Sequence, residues 1–132
     1  MFNLAATTTN DMQRVAKAAE RAQFKNLGHA AARISKDAKA SILTDQDPSS
    51  PGSPPHTKAA AGHNLRGAIR FDYNKEDAVI GPLASFVGEA GRAHEMGGEF
   101  HGQEYPERPF MLPALEQNVD RFAADWKGSI TE

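Results

Sequence analysis

Apolar residues recur every three or four positions through the first third of the chain, which predicts an amphipathic helix over residues 10–43. The apolar stripe is rich in alanine, which favours close packing against a sheet or a neighbouring subunit. Its spacing slips between Ala22 and Phe24, just before the poor helix formers Asn26 and Gly28. A straight helix of this length would extend about 50 Å, whereas a domain of this size has a radius of gyration of about 14 Å. We therefore expect either a kink near Asn26 and Gly28 or an end that projects beyond the core.

The segment that follows, residues 44–64, breaks this pattern. It contains four of the chain's eight prolines, and it cannot be helical because proline lacks an N–H and restricts the residue before it. A loop of this length in a compact domain is usually functional or disordered. We expect loop 44–64 to be poorly ordered alone and to gain contacts by lying on a neighbouring chain.

The second half of the chain predicts short elements. Apolar and polar residues alternate in 68–73, and an apolar run follows in 78–83 after a polar turn, which together predict a β-hairpin. Residues 88–96 predict a short helix that Gly97-Gly98 ends. A short apolar strand is expected at 110–112, with two of its side chains on one face beneath the first helix.

A final helix is predicted to begin at Pro113, a residue well suited to the first helical position. Its apolar residues step by four, three and four along one face, and Gly128 ends it. The whole chain, residues 1–132, is therefore expected to be a single α+β domain, with a long N-terminal helix and a C-terminal helix packed on a small antiparallel β-sheet. The apolar residues on one face of this final helix are Leu115, Val119, Phe122 and Trp126.

Composition removes several classes of protein. The 132 residues include no cysteine, which excludes a disulfide scaffold, a thiol nucleophile and every cysteine-based zinc site and fits a reducing compartment. No apolar run approaches the ~20 residues of a membrane span. The first residues lack a basic stretch followed by an apolar one, so we expect no secretory signal and no membrane association.

The five histidines raise the question of a metal site. His94-Glu95 resembles the start of a zinc-peptidase motif, but the position that needs the second histidine is Gly98, and His101 lies beyond a Gly-Gly break. Glu99, Glu104 and Glu107 lie near a flexible proline turn, which suits paired acid–base catalysis poorly. We expect no catalytic site, no metal and no cofactor; a hydrolase around His94, Glu95 and His101 is the enzymatic alternative.

Charge is unevenly distributed along the chain. Residues 1–43 carry a net charge of +4, residues 44–71 carry +1 and residues 72–132 carry −7, for a total of −2. This asymmetry has three possible explanations. The basic and the acidic surface could each simply be solvated, or the basic surface of one subunit could meet the acidic surface of the next. In the third, the basic helix binds nucleic acid. The last reading is weakened because the basic segment also carries the acidic residues Asp11, Glu20 and Asp37.

Two stretches carry a resemblance to a known family. The first combines a Pro-Gly-x-Pro-Pro-His loop with a Leu-x-x-Ala-Ile turn, in residues 51–56 and 65–69. The second combines His-Glu-x-Gly, at 94–97, with Tyr-Pro-x-Arg-Pro-Phe-hydrophobic-x-Pro-Ala-Leu, at 105–115. Over residues 8–127 the chain resembles the head-to-tail joining, or tail-completion, proteins of tailed bacteriophages, also called minor tail or virion morphogenesis proteins. It departs from their pattern at Met96, where an aromatic residue is usual.

The resemblance implies a structural, non-enzymatic role at the phage neck, with assembly in the host cytoplasm and a final place in the virion. It implies a homo-oligomeric ring that joins or completes the tail at the head–tail interface, with six copies the first expectation and twelve the alternative. Neighbouring neck and tail proteins, such as the connector or stopper, tail terminator and tail tube, would be its partners. DNA would pass the lumen without specific binding. The alternative function is a small nucleic-acid-binding or regulatory module that uses the basic N-terminal helix.

The candidate interface and structural residues follow from these two arguments. We expect the basic residues of the first helix to face acidic residues of the next subunit, namely Asp120 and Asp125 or Glu99 and Glu104. Arg108, held between two prolines, suits a bidentate carboxylate contact, with Glu95 as the expected partner. The full set of candidates is Arg14, Lys17, Arg21, Lys25, Pro54, Pro55, His56, His94, Glu95, Tyr105, Pro106, Arg108, Pro109, Phe110 and Pro113.

Overall fold

The computed structural model describes residues 1–60 and 62–131, which contain five helices and two antiparallel two-stranded sheets. This confirms the expected α+β fold, with a long N-terminal and a C-terminal helix. Strands β1 and β2 pair in one sheet, and β3 and β4 in the other. The elements are α1 (Met12–Ser41), α2 (Leu65–Ala68), β1 (Ile69–Tyr73), β2 (Ala78–Pro82), α3 (Ala84–Val87), α4 (Ala90–Met96), β3 (Gly98–Phe100), β4 (Gln103–Tyr105) and α5 (Met111–Asp125).

Helix α1 runs as one α-helix of 30 residues, about 45 Å long. Its burial begins only at Ala18, and the preceding residues of the helix are exposed on every side. We expected either a kink near Asn26 and Gly28 or a projecting end, and the structure shows the projecting end. Tyr73 lies across the helix near the slip in the apolar stripe: its ring is 5.0 Å from that of Phe24, and a Cβ at Gly28 would stand 2.7 Å from it.

The predicted hairpin is present as β1 and β2, and α1 packs against both of its strands. Phe71 pairs with Ile80 in the antiparallel register. The turn is closed by the Asn74 side chain, whose Oδ1 accepts hydrogen bonds from the backbone N–H groups of Glu76 and Asp77. An asparagine that satisfies two turn amides in this way explains why the chain reverses at this point.

The core is small and lies where α1, α2, β1 and α5 meet. Phe110 is fully buried there, and residues of the second half of α1 surround it. Several of the contributing side chains are alanine, so the helices approach closely while each residue buries little area. The core residues are Ile34, Ala38, Ile42, Leu65, Ile69, Phe110 and Ala114, with Ile80, Val87 and Met111 packed at the edge.

The segment expected to be a strand at 110–112 is instead the start of a helix. Phe110 is the N-cap residue of α5, and Pro113 occupies the third helical position rather than the first. Phe110 is buried as expected, but Leu112 is 52% exposed, so the two do not share a buried face. The helix begins early because a side chain distant in sequence satisfies its first amides, as described below.

Helix α5 packs on α1 through small and polar residues. Asn118 Nδ2 donates to Asp37 Oδ2 at 2.7 Å, and the Arg33 guanidinium donates to Asp125 Oδ2 at 2.5 Å. The apolar stripe predicted along one face of this helix is only partly buried: Leu115 is 46% and Val119 52% exposed, whereas Phe122 and Trp126 are half-buried. The fully buried positions of α5 are Ala114 and Asn118.

Loop 44–64 lies against its own chain over much of its length. Thr44 and Thr57 form a parallel bridge, and Pro55 is fully buried. Ser49 is also buried, which places the middle of the loop against the rest of the domain. The contacts described for residues 44–60 and 62–64 are made within the chain, and additional contacts with a neighbouring chain stay a prediction. None of the helices in the described ranges is both long and apolar enough to cross a membrane.

Candidate functional site at the junction of α4 and α5

Glu95, near the end of α4, caps the start of α5. Its Oε2 accepts hydrogen bonds from the N–H groups of Phe110 and Met111, both at 2.9 Å, and its Oε1 accepts one from Leu112 at 2.8 Å. The first amides of a helix have no partner within the helix, and a carboxylate at this end also interacts favourably with the helix dipole. One side chain therefore joins two helices that lie fifteen residues apart in the chain.

The prolines of segment 105–113 hold the chain that runs between these helices. Pro106, Pro109 and Pro113 each fix a backbone φ angle, which lowers the entropy lost when the segment becomes ordered. The segment passes very close to Gly97, where a Cβ would stand 2.8 Å from the Glu107 backbone nitrogen. Gly97 also has φ 62° and ψ −166°, a backbone conformation essentially restricted to glycine.

Arg108 joins the proline segment to both α4 and loop 44–64. Its backbone N–H donates to the His94 carbonyl at 2.6 Å, and its Nε donates to the Ser49 carbonyl at 2.9 Å. The neighbouring Glu107 carbonyl accepts a hydrogen bond from the Gly52 N–H at 2.7 Å. The expected pair between Arg108 and Glu95 is thus not formed, because each residue is engaged by backbone groups instead.

His94 lies beneath this junction. Burial, and secondly the nearby Arg108 guanidinium, lower the pKa of His94 below its ordinary value of 6.5. Among the described residues, its Nδ1 has no hydrogen-bond partner and is shielded from solvent. Both facts favour the neutral imidazole, so His94 acts here as a packed ring rather than as a charge.

A cavity of about 350 Å³ opens beside His94 between α4 and the second hairpin, β3–β4. His101, Glu89 and Tyr105 are among its lining residues. Within residues 1–60 and 62–131, no group of three or more histidine, aspartate or glutamate side chains is arranged to hold a metal ion. His94 and His101, two residues of the hydrolase alternative, therefore line the same cavity, but among the described residues they do not belong to a group that could hold a metal ion.

The structure brings together the candidate residues between His94 and Pro113 and places the basic candidates of α1 elsewhere. His94, Glu95, Arg108 and Phe110 meet at the junction, and Pro113 lies in the first turn of α5. The other residues of the two motifs flank it: Pro55 is buried, Pro54, Tyr105 and Pro109 are half-buried, Pro106 is exposed, and His56 Nδ1 donates to the Asp47 carbonyl at 2.8 Å.

The four basic candidates lie elsewhere, on the exposed first half of α1. Arg14 forms an ion pair with Asp11 at 3.7 Å. Lys17, Arg21 and Lys25 are exposed on the same part of the helix. The candidates therefore form two separate groups, a structural junction and a basic helix end.

Sequence reasoning missed several residues that hold the junction together. Ser49 and Gly52 contribute only backbone atoms, and a backbone acceptor or donor leaves no pattern in a sequence. The Asn118–Asp37 and Arg33–Asp125 bridges join residues more than eighty positions apart. Among these residues, Gly97 is the one that the sequence could have identified, because a Gly-Gly pair directly after a short helix indicates a positive φ angle.

Comparison of the chain with protein-family models, with curated proteins and with solved structures found no match.

Proposed function

We propose that this chain is a structural subunit of a tailed phage, one that forms a ring at the neck, joins or completes the tail and lets DNA pass. The place in a virion rests on the resemblance of its two motifs to tail-completion proteins. The assembly into a ring rests chiefly on the large exposed surface of the chain. The role is non-enzymatic, and its partners are copies of the chain and the adjoining neck and tail proteins.

The isolated chain exposes more surface than a compact monomer of the same mass. It measures 9499 Å², whereas a compact monomer of 14.3 kDa exposes about 6,800 Å². The projecting start of α1 and the residues before it supply part of the excess. A subunit in a closed ring has two interfaces and buries about 800 Å² of its own surface in each. The excess of roughly 2,700 Å² is sufficient for both.

The junction of α4 and α5 supports a scaffolding role. Motif residues that would be catalytic in an enzyme here bind backbone groups: the Glu95 carboxylate caps a helix, and the Arg108 guanidinium holds a loop. Interactions of this kind fix the relative position of three segments. A rigid subunit of this type suits a ring whose neighbours must meet at a constant angle.

A second candidate function is favoured by the projecting end of α1. Lys17 lies on that end, Arg21 and Lys25 are exposed on the turns that follow, and a nucleic acid has access to all three. A module that binds DNA through this helix loses affinity steeply as salt concentration rises, by about tenfold or more between 50 and 200 mM for several phosphate contacts. A ring subunit that lets DNA pass shows no such specific, salt-dependent binding.

The experiment that tests the proposed function uses the phage that encodes the chain. Mass spectrometry of purified virions is expected to detect the chain as a stoichiometric component. Phage that lack its gene are expected to yield DNA-filled heads and separate tails, which complementation with the wild-type gene joins. Complete, infectious particles without the chain would contradict the proposal, and salt-dependent DNA binding by the pure protein would favour the alternative.

A further inference from the structure

An apolar groove runs along the outer side of the α1–α5 contact. It is bounded by α1, the start of β2 and α5, and it encloses about 200 Å³. Leu115 and Val119, two of the large apolar residues of α5, form one wall with Phe122 and are about half exposed. Burial of apolar surface stabilises a protein by about 25 cal/mol per Å², and an exposed apolar helix face lacks this stabilisation. The groove is therefore a surface suited to a further apolar segment.

The chain itself carries an apolar segment with no place in its own fold. Residues 1–11 precede α1 and form no helix or strand, and each of them is exposed. Met1, Phe2 and Leu4 are almost completely accessible to solvent. A segment of this kind, next to a projecting helix end, extends away from the domain to which it belongs.

We propose that the N-terminal segment of one copy, residues 1–11, docks in the α1–β2–α5 groove of the next copy, with Phe2 and Leu4 against Leu115 and Val119. Peptide segments commonly bind in apolar grooves through two or more anchoring side chains. The inference rests on the self-association in the proposed function, but not on the phage role. It adds the segment, the receiving groove and the direction of the contact.

The charges near the segment and the groove select a second copy as the occupant. Lys17, Arg21 and Lys25 follow the segment on α1, and Glu116 and Asp120 are exposed on α5 beside the groove. Within one chain these charges belong to two helices held in fixed packing, so the basic residues cannot move onto the acidic ones. Between copies, a docked segment brings the basic end of α1 towards the acidic edge of α5, which gives the contact a single polarity.

This polarity makes the contact heterologous, because each copy gives its segment to one neighbour and receives a segment from another. Heterologous contacts produce closed rings when the rotation between neighbours closes and open filaments when it does not. Each exposed ion pair contributes only about 0.2–1 kcal/mol. The charges therefore orient the copies, while the apolar anchors hold them.

Disulfide trapping tests the contact directly, since the chain has no cysteine of its own. An affinity-tagged Leu4→Cys protein is mixed with an untagged Val119→Cys protein under mild oxidation, and disulfide-linked heterodimers are quantified without reductant. Docking holds the two thiols at a high local concentration, so we expect them to couple about tenfold or more faster than the control pair of Leu4→Cys with Lys58→Cys. Lys58 is an exposed residue of loop 44–64, outside the groove.

Charge reversal provides a second, independent test of the docking contact. The double substitution Arg21→Glu and Lys25→Glu in the Leu4→Cys protein is expected to slow trapping towards the rate of the control pair. Glu116→Lys with Asp120→Lys in the Val119→Cys protein is expected to restore it, because the attraction returns with its sign exchanged. Circular dichroism of each variant checks that the helices remain folded.

Two results would overturn the inference. One is trapping of the Leu4–Val119 pair no faster than that of the Leu4–Lys58 pair. The other is a Leu4→Cys, Val119→Cys double variant that forms its disulfide only within single chains. If either occurs while the wild-type chain still forms rings on neck or tail particles, the docking contact fails and the proposed function stands. Absence of the chain from virions removes the proposed function without deciding whether copies dock in solution.

Discussion

Single side chains determine how the junction of α4 and α5 is built. Phe110 fills the small core, Glu95 satisfies the first amides of α5, and Arg108 holds loop 44–64. The sequence motif correctly drew attention to all three, because prolines and aromatic residues at fixed offsets indicate a rigid segment. It could not reveal which atoms they bind, since the partners are mainly backbone groups contributed by other segments.

Phe110→Ala tests the core. The side chain is 0% exposed, and truncation of a buried phenylalanine costs about 3–5 kcal/mol through lost transfer energy and the cavity left behind. Urea denaturation is expected to show a loss of that size in the free energy of unfolding. Leu112→Ala, two residues away and half exposed, serves as the matched control with a loss within about 0.5–1 kcal/mol. Equal losses in the two variants would mean that Phe110 is not the core residue.

The pH dependence of stability tests the environment of His94. Because burial and Arg108 lower its pKa in the folded state, the unfolded chain takes up the proton first as pH falls through about 6.5. The free energy of unfolding is therefore expected to decrease from about pH 7.5 to pH 5.5. His94→Gln removes this contribution, so its decrease over the same range should be smaller. An identical slope in the two proteins would show that His94 titrates alike in the folded and unfolded states.

The helices and strands show where local pattern is sufficient and where it is not. The long α1, the β1–β2 hairpin and the stop of α4 at Gly97 follow from periodicity and turn chemistry, which act over a few residues. The start of α5 does not, because Glu95 supplies its cap from another helix. The exposure of Leu115 and Val119 was also missed, because it depends on how α5 packs on α1, where Asn118 and Asp125 bond to residues more than eighty positions away. The short α2 and α3 are single turns that no apolar period identifies.

Glu95→Ala tests the shared cap. The substitution leaves three amides at the start of α5 without their acceptor, and hydrogen bonds to a charged group contribute about 1.5–3 kcal/mol each. Partial replacement by water reduces the net loss, which we expect to be about 1–3 kcal/mol in chemical denaturation.

Glu99→Ala is the control for Glu95→Ala. Glu99 is exposed on β3 and pairs in register with Glu104, so its removal relieves a contact between like charges. We expect this variant to be as stable as the wild type or slightly more stable. A Glu95→Ala protein no less stable than Glu99→Ala would exclude the capping role.

Two adjacent glycines provide a matched test of the close approach between α4 and the proline segment. Both have a positive φ, but an added Cβ meets the Glu107 backbone only at Gly97. Gly97→Ala is therefore expected to be less stable than Gly98→Ala by at least about 1 kcal/mol, since backbone cannot move aside as a flexible side chain can. Thermal denaturation of the two variants side by side measures the difference. Equal stabilities would mean that the segment passes farther from Gly97.

At the scale of the whole molecule, we propose that the chain is a subunit of an assembly rather than an independent domain. It combines a small core with an extended N-terminal segment, a projecting basic helix end and an exposed apolar groove on the acidic side. None of these features could be predicted from composition alone, although the charge asymmetry pointed towards self-association. The groove depends on how α5 packs on α1, which leaves Leu115 and Val119 about half exposed.

A cryo-electron microscopy map of the neck of the phage that encodes this chain tests the proposed ring directly. We expect a closed ring of this chain between head and tail, with six copies the first expectation. We also expect neutral or acidic residues facing the DNA channel and basic α1 helices directed towards neighbouring subunits. A neck without the chain, or a ring whose basic α1 helices line the channel while the acidic half faces outward, would contradict the proposal.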